Sequence, residues 1–144
     1  DEGLLALSAE SIGAMSHLNS ATLEYVRTRS QFGRPIGTFQ VIQHRLVDMY
    51  MALELARSMM LLAAAGMSDA TADERSRLAA TAKVKACEAI RLVGEDAIQL
   101  HGGMGMTDEL DVSHYFKRVT MIESSYGDMD HHLGRLAAML ASAR

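Results

Sequence analysis

Apolar positions along the chain recur at steps of three, four or seven, and no segment shows the strict alternation of a strand. Leu4, Leu7, Ala14, Leu18, Ala21 and Tyr25 trace one stripe, which predicts a first helix from Leu4 to about Thr28. At ~25 residues it spans roughly 37 Å. The run Phe32-Gly33-Arg34-Pro35 supplies the turn residues that end it. A second helix is predicted from about Phe39 to Ala65 on the seam Ile42, Leu46, Met49, Leu53, Ala56 and Met60, with Gly66 as its stop. Thr71 and Glu74 have capping-box spacing and open a third, which reaches Leu100 on the seam Ala86, Ile90, Val93, Ala97 and Leu100. A short helix with Asp111 as N-cap is predicted to about Val119, inside an otherwise irregular loop from Gly102 to Met129. The last helix runs from about Met129 to the chain's end, with Leu133, Leu136 and Leu140 on one face.

Long antiparallel helices on short connections predict an all-α fold. The expected architecture is an up-down-up-down four-helix bundle over residues 1–144, with a long loop between the third and last long helices. Helices one and two carry apolar residues beyond a single seam: Ile12 and Met15 on the first, Val41, Val47, Met51 and Leu62 on the second. A helix apolar over much of its circumference must bury a second face, which predicts self-association.

Composition narrows this picture. A chain of 144 residues suffices for one domain with a real core. Hydrophobic residues reach 49% while aromatics stay at 5%, so the core must be aliphatic and filled by the 11 Met residues. A net charge of −4 without any basic block argues against nucleic acid as a partner. The single Cys87, with Ala86 and Ala89 close by, reads as a buried structural thiol and suits a reducing compartment. No apolar run is long enough to span a bilayer and no leader pattern opens the sequence, so the expectation is a soluble cytoplasmic protein.

Two segments break the helical pattern. Gln99-Leu100-His101-Gly102-Gly103-Met104-Gly105 replaces side chains by backbone at the end of the third helix, where close approach or positive φ would require it. Arg29-Ser30-Gln31-Phe32-Gly33-Arg34-Pro35-Ile36-Gly37-Thr38-Phe39-Gln40 follows the first helix. Taken singly, each has a simpler reading: Arg29 as a cation at a helix C-terminus, the glycines as a helix stop.

Taken together and in this order, the two segments resemble the acyl-CoA dehydrogenase family, over essentially the whole chain. The resemblance implies that this chain corresponds to that family's C-terminal four-helix bundle alone. An N-terminal helical domain and a middle β-domain would hold the main cradle of the flavin elsewhere. It further implies FAD as cofactor, an acyl-CoA substrate, same-family subunits joined in a homo- or heterotetramer, and an electron-transfer flavoprotein as electron acceptor. By resemblance Arg29 faces the pyrophosphate of an FAD held mainly by a neighbouring subunit. Gln31 and Gln40 supply amides, Phe32 an apolar platform, and Gln99, Leu100, His101, Gly102 and Gly103 the adenosine-diphosphate side. Gly127 and Asp128 are likewise assigned to cofactor binding. The two corners should open on one cleft, with residue 126 close to it, and the free bundle should bind FAD weakly or not at all.

Family chemistry is α,β-dehydrogenation, in which a carboxylate removes the α-proton. By resemblance that base falls on Tyr126 in Ser125-Tyr126-Gly127-Asp128, and in a few members on the first helix, here Gly3. Neither is an acid, and an ordinary phenol titrates near ~10. Three readings stay open: a displaced carboxylate, Glu123 or Asp128; a subunit without its base that partners a catalytic subunit; or a purely structural relative. No metal is expected, since the adjacent His131 and His132 diverge by roughly 100° on a helix.

Overall fold

The structure, a computed structural model, describes residues 1–142. The chain's end, where the predicted last helix was carried to Ala143 and Arg144, lies outside the described residues. The fold is all-α, a bundle of three long helices and two shorter ones: α1 (Glu2–Thr28), α2 (Gln40–Gly66), α3 (Ala72–His101), α4 (Val112–Ser124) and α5 (Met129–Ser142). Between α1 and α2 lies a minimal antiparallel hairpin, β1 (Ser30–Gln31) and β2 (Arg34–Pro35), with Ser30 opposite Pro35 and Gln31 opposite Arg34. A 3-10 turn over Ile36–Thr38 follows it, and a second over Gly102–Met106 follows α3.

Helix α3 is the central stave, touching α1, α2, α4 and α5. Its predicted seam holds: Val93 and Ala97 are fully buried, and Ala86, Ile90 and Leu100 nearly so. Thr71 caps it, accepting the Glu74 N–H through Oγ1 at 3.3 Å. The core joins Met15 and Leu18 of α1, Met49 and Leu53 of α2, Val93 of α3, and Val112, Val119 and Ile122 of α4. Burying each such side chain contributes about 1.5–3 kcal/mol.

Several expectations change. The stretch predicted as a long loop contains a full helix, because α4 continues five residues past Val119 and packs on α1 and α3. Asp111 precedes α4 without a side-chain cap bond, since its carboxylate pairs with His17 Nε2 at 2.8 Å. Gly66 is the last residue of α2 rather than a left-handed stop. It packs closely on α3: a Cβ there would lie 2.7 Å from the terminal Cδ1 of Leu78, which would have to shift. Ile12 and Met15 are buried inside this chain, so the extra apolar face of α1 is already covered. That of α2 is not: Val41, Val47, Met51 and Leu62 are all exposed. On α5 the predicted face is wrong as an inward face. Leu133 and Leu140 are exposed, and the helix instead buries His132 against α3.

Candidate functional site

The two glycine- and arginine-bearing corners form one cleft. Helix α1 ends at Arg29, whose backbone N–H donates to Tyr25 O at 2.8 Å and whose carbonyl accepts the Ile36 N–H at 2.8 Å. This second bond brings the returning hairpin back onto the helix end. Helix α3 ends beside it, at Gly102, with φ +61° and ψ −140°, a conformation open essentially to glycine alone. Tyr25, Arg29, Gln31, Ile36, Gln99, Leu100, His101, Gly102, Gly103 and Met104 line an open cleft of about 430 Å³ between them.

The walls of the cleft are fixed from behind. His101 is buried and donates Nδ1–H to Ala97 O at 2.8 Å. Its ring stacks on Tyr25 with centroids 4.3 Å apart, and the Tyr25 hydroxyl donates to His101 O at 3.3 Å. Arg29 projects into solvent without an ion pair among the described residues. Gly103 is informative by contrast with its neighbours. Its φ is not positive, and a Cβ built on it meets nothing within 4 Å. Neither its own backbone nor the packing of the described residues calls for glycine there. Gly105 is the opposite case, since a Cβ there would lie 2.9 Å from Ile98 O and 3.0 Å from His101 Cβ.

Phe32 and Gln40, assigned to the same site, do not line this cleft. Phe32 occupies the tip of the hairpin with φ +55°, followed by Gly33 at +78°, the signature of a two-residue primed turn. It is 91% exposed, edge-on to Phe39 at 6.1 Å, and Arg34 lies over the Phe39 ring at 4.1 Å. Gln40 is the exposed first residue of α2, and Gln43 one turn later makes the bond to the hairpin side, to Gly37 O at 3.0 Å. Tyr25, on the apolar stripe of α1, packs against the core as its spacing predicts and also lines the cleft. A hydroxyl one turn before Arg29 in an apolar stripe was the available signal.

Residue 126 is not near this cleft, contrary to expectation. It lies at the opposite end of α1: a Cβ built on Gly3 would lie 4.0 Å from Cε2 of Tyr126. Gly3 and Arg29 are separated by the length of α1, roughly 40 Å at about 1.5 Å per residue. Tyr126 is 73% exposed, with φ +56°, and Gly127 follows at +97°. Glu123 turns toward α3, where its carboxylate pairs with Arg91 at 2.5 Å. That pairing raises the Arg91 guanidinium above its usual range. Gly127 and Asp128, assigned to cofactor binding, lie with Tyr126 and do not line the cleft; Asp128 instead caps α5, accepting the His131 N–H at 2.9 Å. His131 and His132 meet edge to face at 5.0 Å, one exposed and one buried. Among the described residues no group of three or more His, Cys, Asp or Glu side chains could hold a metal ion. No helix among them is long and apolar enough to cross a membrane.

Comparison with known proteins places this geometry. The family model for the acyl-CoA dehydrogenase C-terminal domain matches residues 2–141. Acyl-CoA dehydrogenase IpdE2 of Mycolicibacterium smegmatis is 38% identical over 138 residues, covering 96% of this chain and 42% of that protein. The ChsE4-ChsE5 complex from Mycobacterium tuberculosis superposes with a TM-score of 0.90 at 33% identity, covering 96% of this chain and 37% of the matched one. PigA with FAD and proline superposes with a TM-score of 0.88 at 30% identity, covering 96% and 36%. The chain thus spans about two fifths of the length of these relatives. A helical bundle whose arginine and glycine corners share one cleft, matched by that family model along nearly its whole length, belongs to the acyl-CoA dehydrogenase family as its C-terminal domain.

Proposed function

We propose that this bundle completes an FAD site across a subunit boundary, in an assembly that dehydrogenates acyl-CoA thioesters at the α,β bond. The observation that carries the reading is the cleft that Arg29, without an ion pair among the described residues, shares with the bare backbone of Gly102 and Gly103. A guanidinium can hold a pyrophosphate oxygen pair bidentately, and glycine lets backbone approach a phosphate without a Cβ in the way. Gln31 and Gln99 offer amides at the rim, and Tyr25 and His101 give the cleft a rigid aromatic floor. When bound, FAD supplies the hydride acceptor. This chain supplies one face of its site, and the cleft is too open to enclose the cofactor. The exposed tip residue Phe32 is offered to the same neighbouring subunit, and so is the apolar side of α2.

Within such an assembly this subunit acts as the non-catalytic partner. A specific observation favours that reading over a displaced base: the two positions from which a family carboxylate would act, 126 and 3, adjoin in space, and hold tyrosine and glycine. Glu123 is engaged by Arg91 and Asp128 by the α5 backbone, so neither is free to replace the base. The ChsE4-ChsE5 relative is itself a complex of two different polypeptides. By family resemblance, an electron-transfer flavoprotein would take the electrons onward.

Flavin content of the assembled protein tests the first claim. Arg29→Ala should weaken FAD retention by about tenfold or more, the loss of a charge-assisted hydrogen-bond pair. Arg29→Lys should fall between the two. Unchanged retention in Arg29→Ala would refute the cross-subunit site.

A further inference from the structure

Two fully buried polar side chains converge on the short connection between α4 and α5. Lys83 of α3 donates its ammonium to the carbonyl of Ile122, in the last turn of α4. His132 of α5 donates Nε2–H to the carbonyl of Tyr126 at 3.1 Å. The other ring nitrogen, Nδ1, accepts from Arg135 at 3.3 Å, which fixes the tautomer. Arg135 is held in turn by Ser76 of α3 and by Asp1 at 3.5 Å. Between these anchors the backbone makes two successive left-handed residues, Tyr126 and Gly127. A Cβ at Gly127 would lie 3.2 Å from His132 Nε2 and 2.5 Å from His131 Cδ2, so the turn is pressed directly onto the imidazoles. A left-handed tyrosine persists only where its surroundings over-determine it.

We propose that His132 is a positioning residue for position 126: through the Tyr126 carbonyl, and with Lys83 at the other end, it locks the turn so that side chain 126 emerges beside Gly3. The inference rests on reading 126 as the position facing substrate. Because the anchor grips main chain, it is indifferent to which side chain stands at 126. The seat therefore survives in a subunit that has lost its acid.

The anchor is pH-sensitive. The groups facing His132 are Arg135 and His131 on its own helix, Lys83 on α3, and Asp1 through Arg135. Protonation would place a proton on Nδ1 against the Arg135 guanidinium. Burial, foremost, and these cations hold the imidazole below its ordinary range, against the opposing effect of its bond to Tyr126. Acid thus breaks the Arg135 contact at Nδ1 and loosens the imidazole's seat, while Nε2–H goes on donating to the Tyr126 carbonyl.

The test uses the full chain labelled with 3-fluorotyrosine, which gives four fluorine resonances, with Tyr126 assigned through Tyr126→Phe. The Tyr126 resonance should move with pH through a midpoint below the ordinary histidine value. It should do so equally in His131→Gln, which controls for the neighbouring imidazole. His132→Gln, whose amide can still donate to the carbonyl, should keep the neutral-pH resonance and lose the titration. His132→Leu should displace or broaden it at every pH. In a Tyr126→Glu background, His132→Leu should lower kcat on the order of 100-fold with KM unchanged, and His132→Gln should largely restore it. A Tyr126 resonance that titrates identically in His132→Gln, or stays put in His132→Leu, overturns the proposal. Should Tyr126→Glu show no turnover at all, only the reading of position 126 fails, and the fluorine spectra still decide the anchor. If His132→Leu does not fold, the lost titration in His132→Gln decides it alone.

Discussion

Tyr126 and Gly3, at the α4–α5 turn and the first turn of α1, meet at one point: a Cβ on Gly3 would touch the tyrosine ring at 4.0 Å. Two backbones can therefore present a side chain to the same place, and neither presents a carboxylate. An acid restored at either position should supply a general base, worth about 10²–10⁴-fold in rate. Tyr126→Glu, on a backbone held by buried anchors, should give the larger gain, and Gly3→Glu a smaller one. Acyl-CoA-dependent reduction of an artificial electron acceptor measures both. Failure of both variants to exceed the unmodified protein would show that this point is not where substrate lies.

Gly103 and Gly105 should separate function from folding. Gly103→Ala adds a methyl to open space at an ordinary φ, so thermal stability should stay within about 0.5 kcal/mol. FAD retention by the assembled protein should nevertheless drop about tenfold. Gly105→Ala forces a Cβ against Ile98 O and His101, and should cost about 1–3 kcal/mol of stability. Unfolding curves with flavin content on the same samples check the pair. Reversed effects would mean the cleft is shaped by packing alone.

Stability should rise with pH in two windows. His132 is held below its ordinary 6.5 and Lys83 below its ordinary 10.5, each chiefly by burial. Between the lowered native value and the ordinary one, the unfolded chain binds a proton that the native chain refuses. Stability therefore climbs as pH rises through each window and falls as pH drops back through it. Urea midpoints measured across the acid range should show this slope, and His132→Gln should flatten it below about 6.5. Lys83→Met should remove the alkaline window while keeping most of the side-chain volume.

The outer side of α2 should hold subunits together. Val47, Met51, Leu55 and Leu62 are spaced by four, four and seven residues and all are exposed. Such a stripe on a helix already packed on its other side is a subunit interface rather than core. Sedimentation of the chain should show concentration-dependent association. The double change Met51→Lys and Leu55→Lys should weaken it by at least tenfold. A monomer at all concentrations in the unchanged chain would contradict the interface.

Helical periodicity made the long helices, the α3 seam and the Thr71 cap legible before any coordinates. It reports which face is apolar and is silent on what covers that face. Ile12 and Met15 look like the outer stripe of α2, yet α4 and α3 cover the first and nothing among the described residues covers the second. Leu133 and Leu140 misled for the same reason, and His132 was buried in their stead because its polar atoms find partners. Arg29 and Gly102 could be joined before any coordinates only through the resemblance of their two segments to one family, since a helix end by itself does not say which other end it meets. The distance of Tyr126 from that cleft could not, since it depends on which end of α1 the α4–α5 turn meets.

Turnover by the purified protein that carries this chain, alone and co-purified with a same-family subunit bearing the carboxylate, tests the central claim most directly. The account predicts no acyl-CoA oxidation alone and FAD-dependent oxidation by the pair, reduced by Arg29→Ala in this chain. Robust oxidation by this protein alone would contradict it.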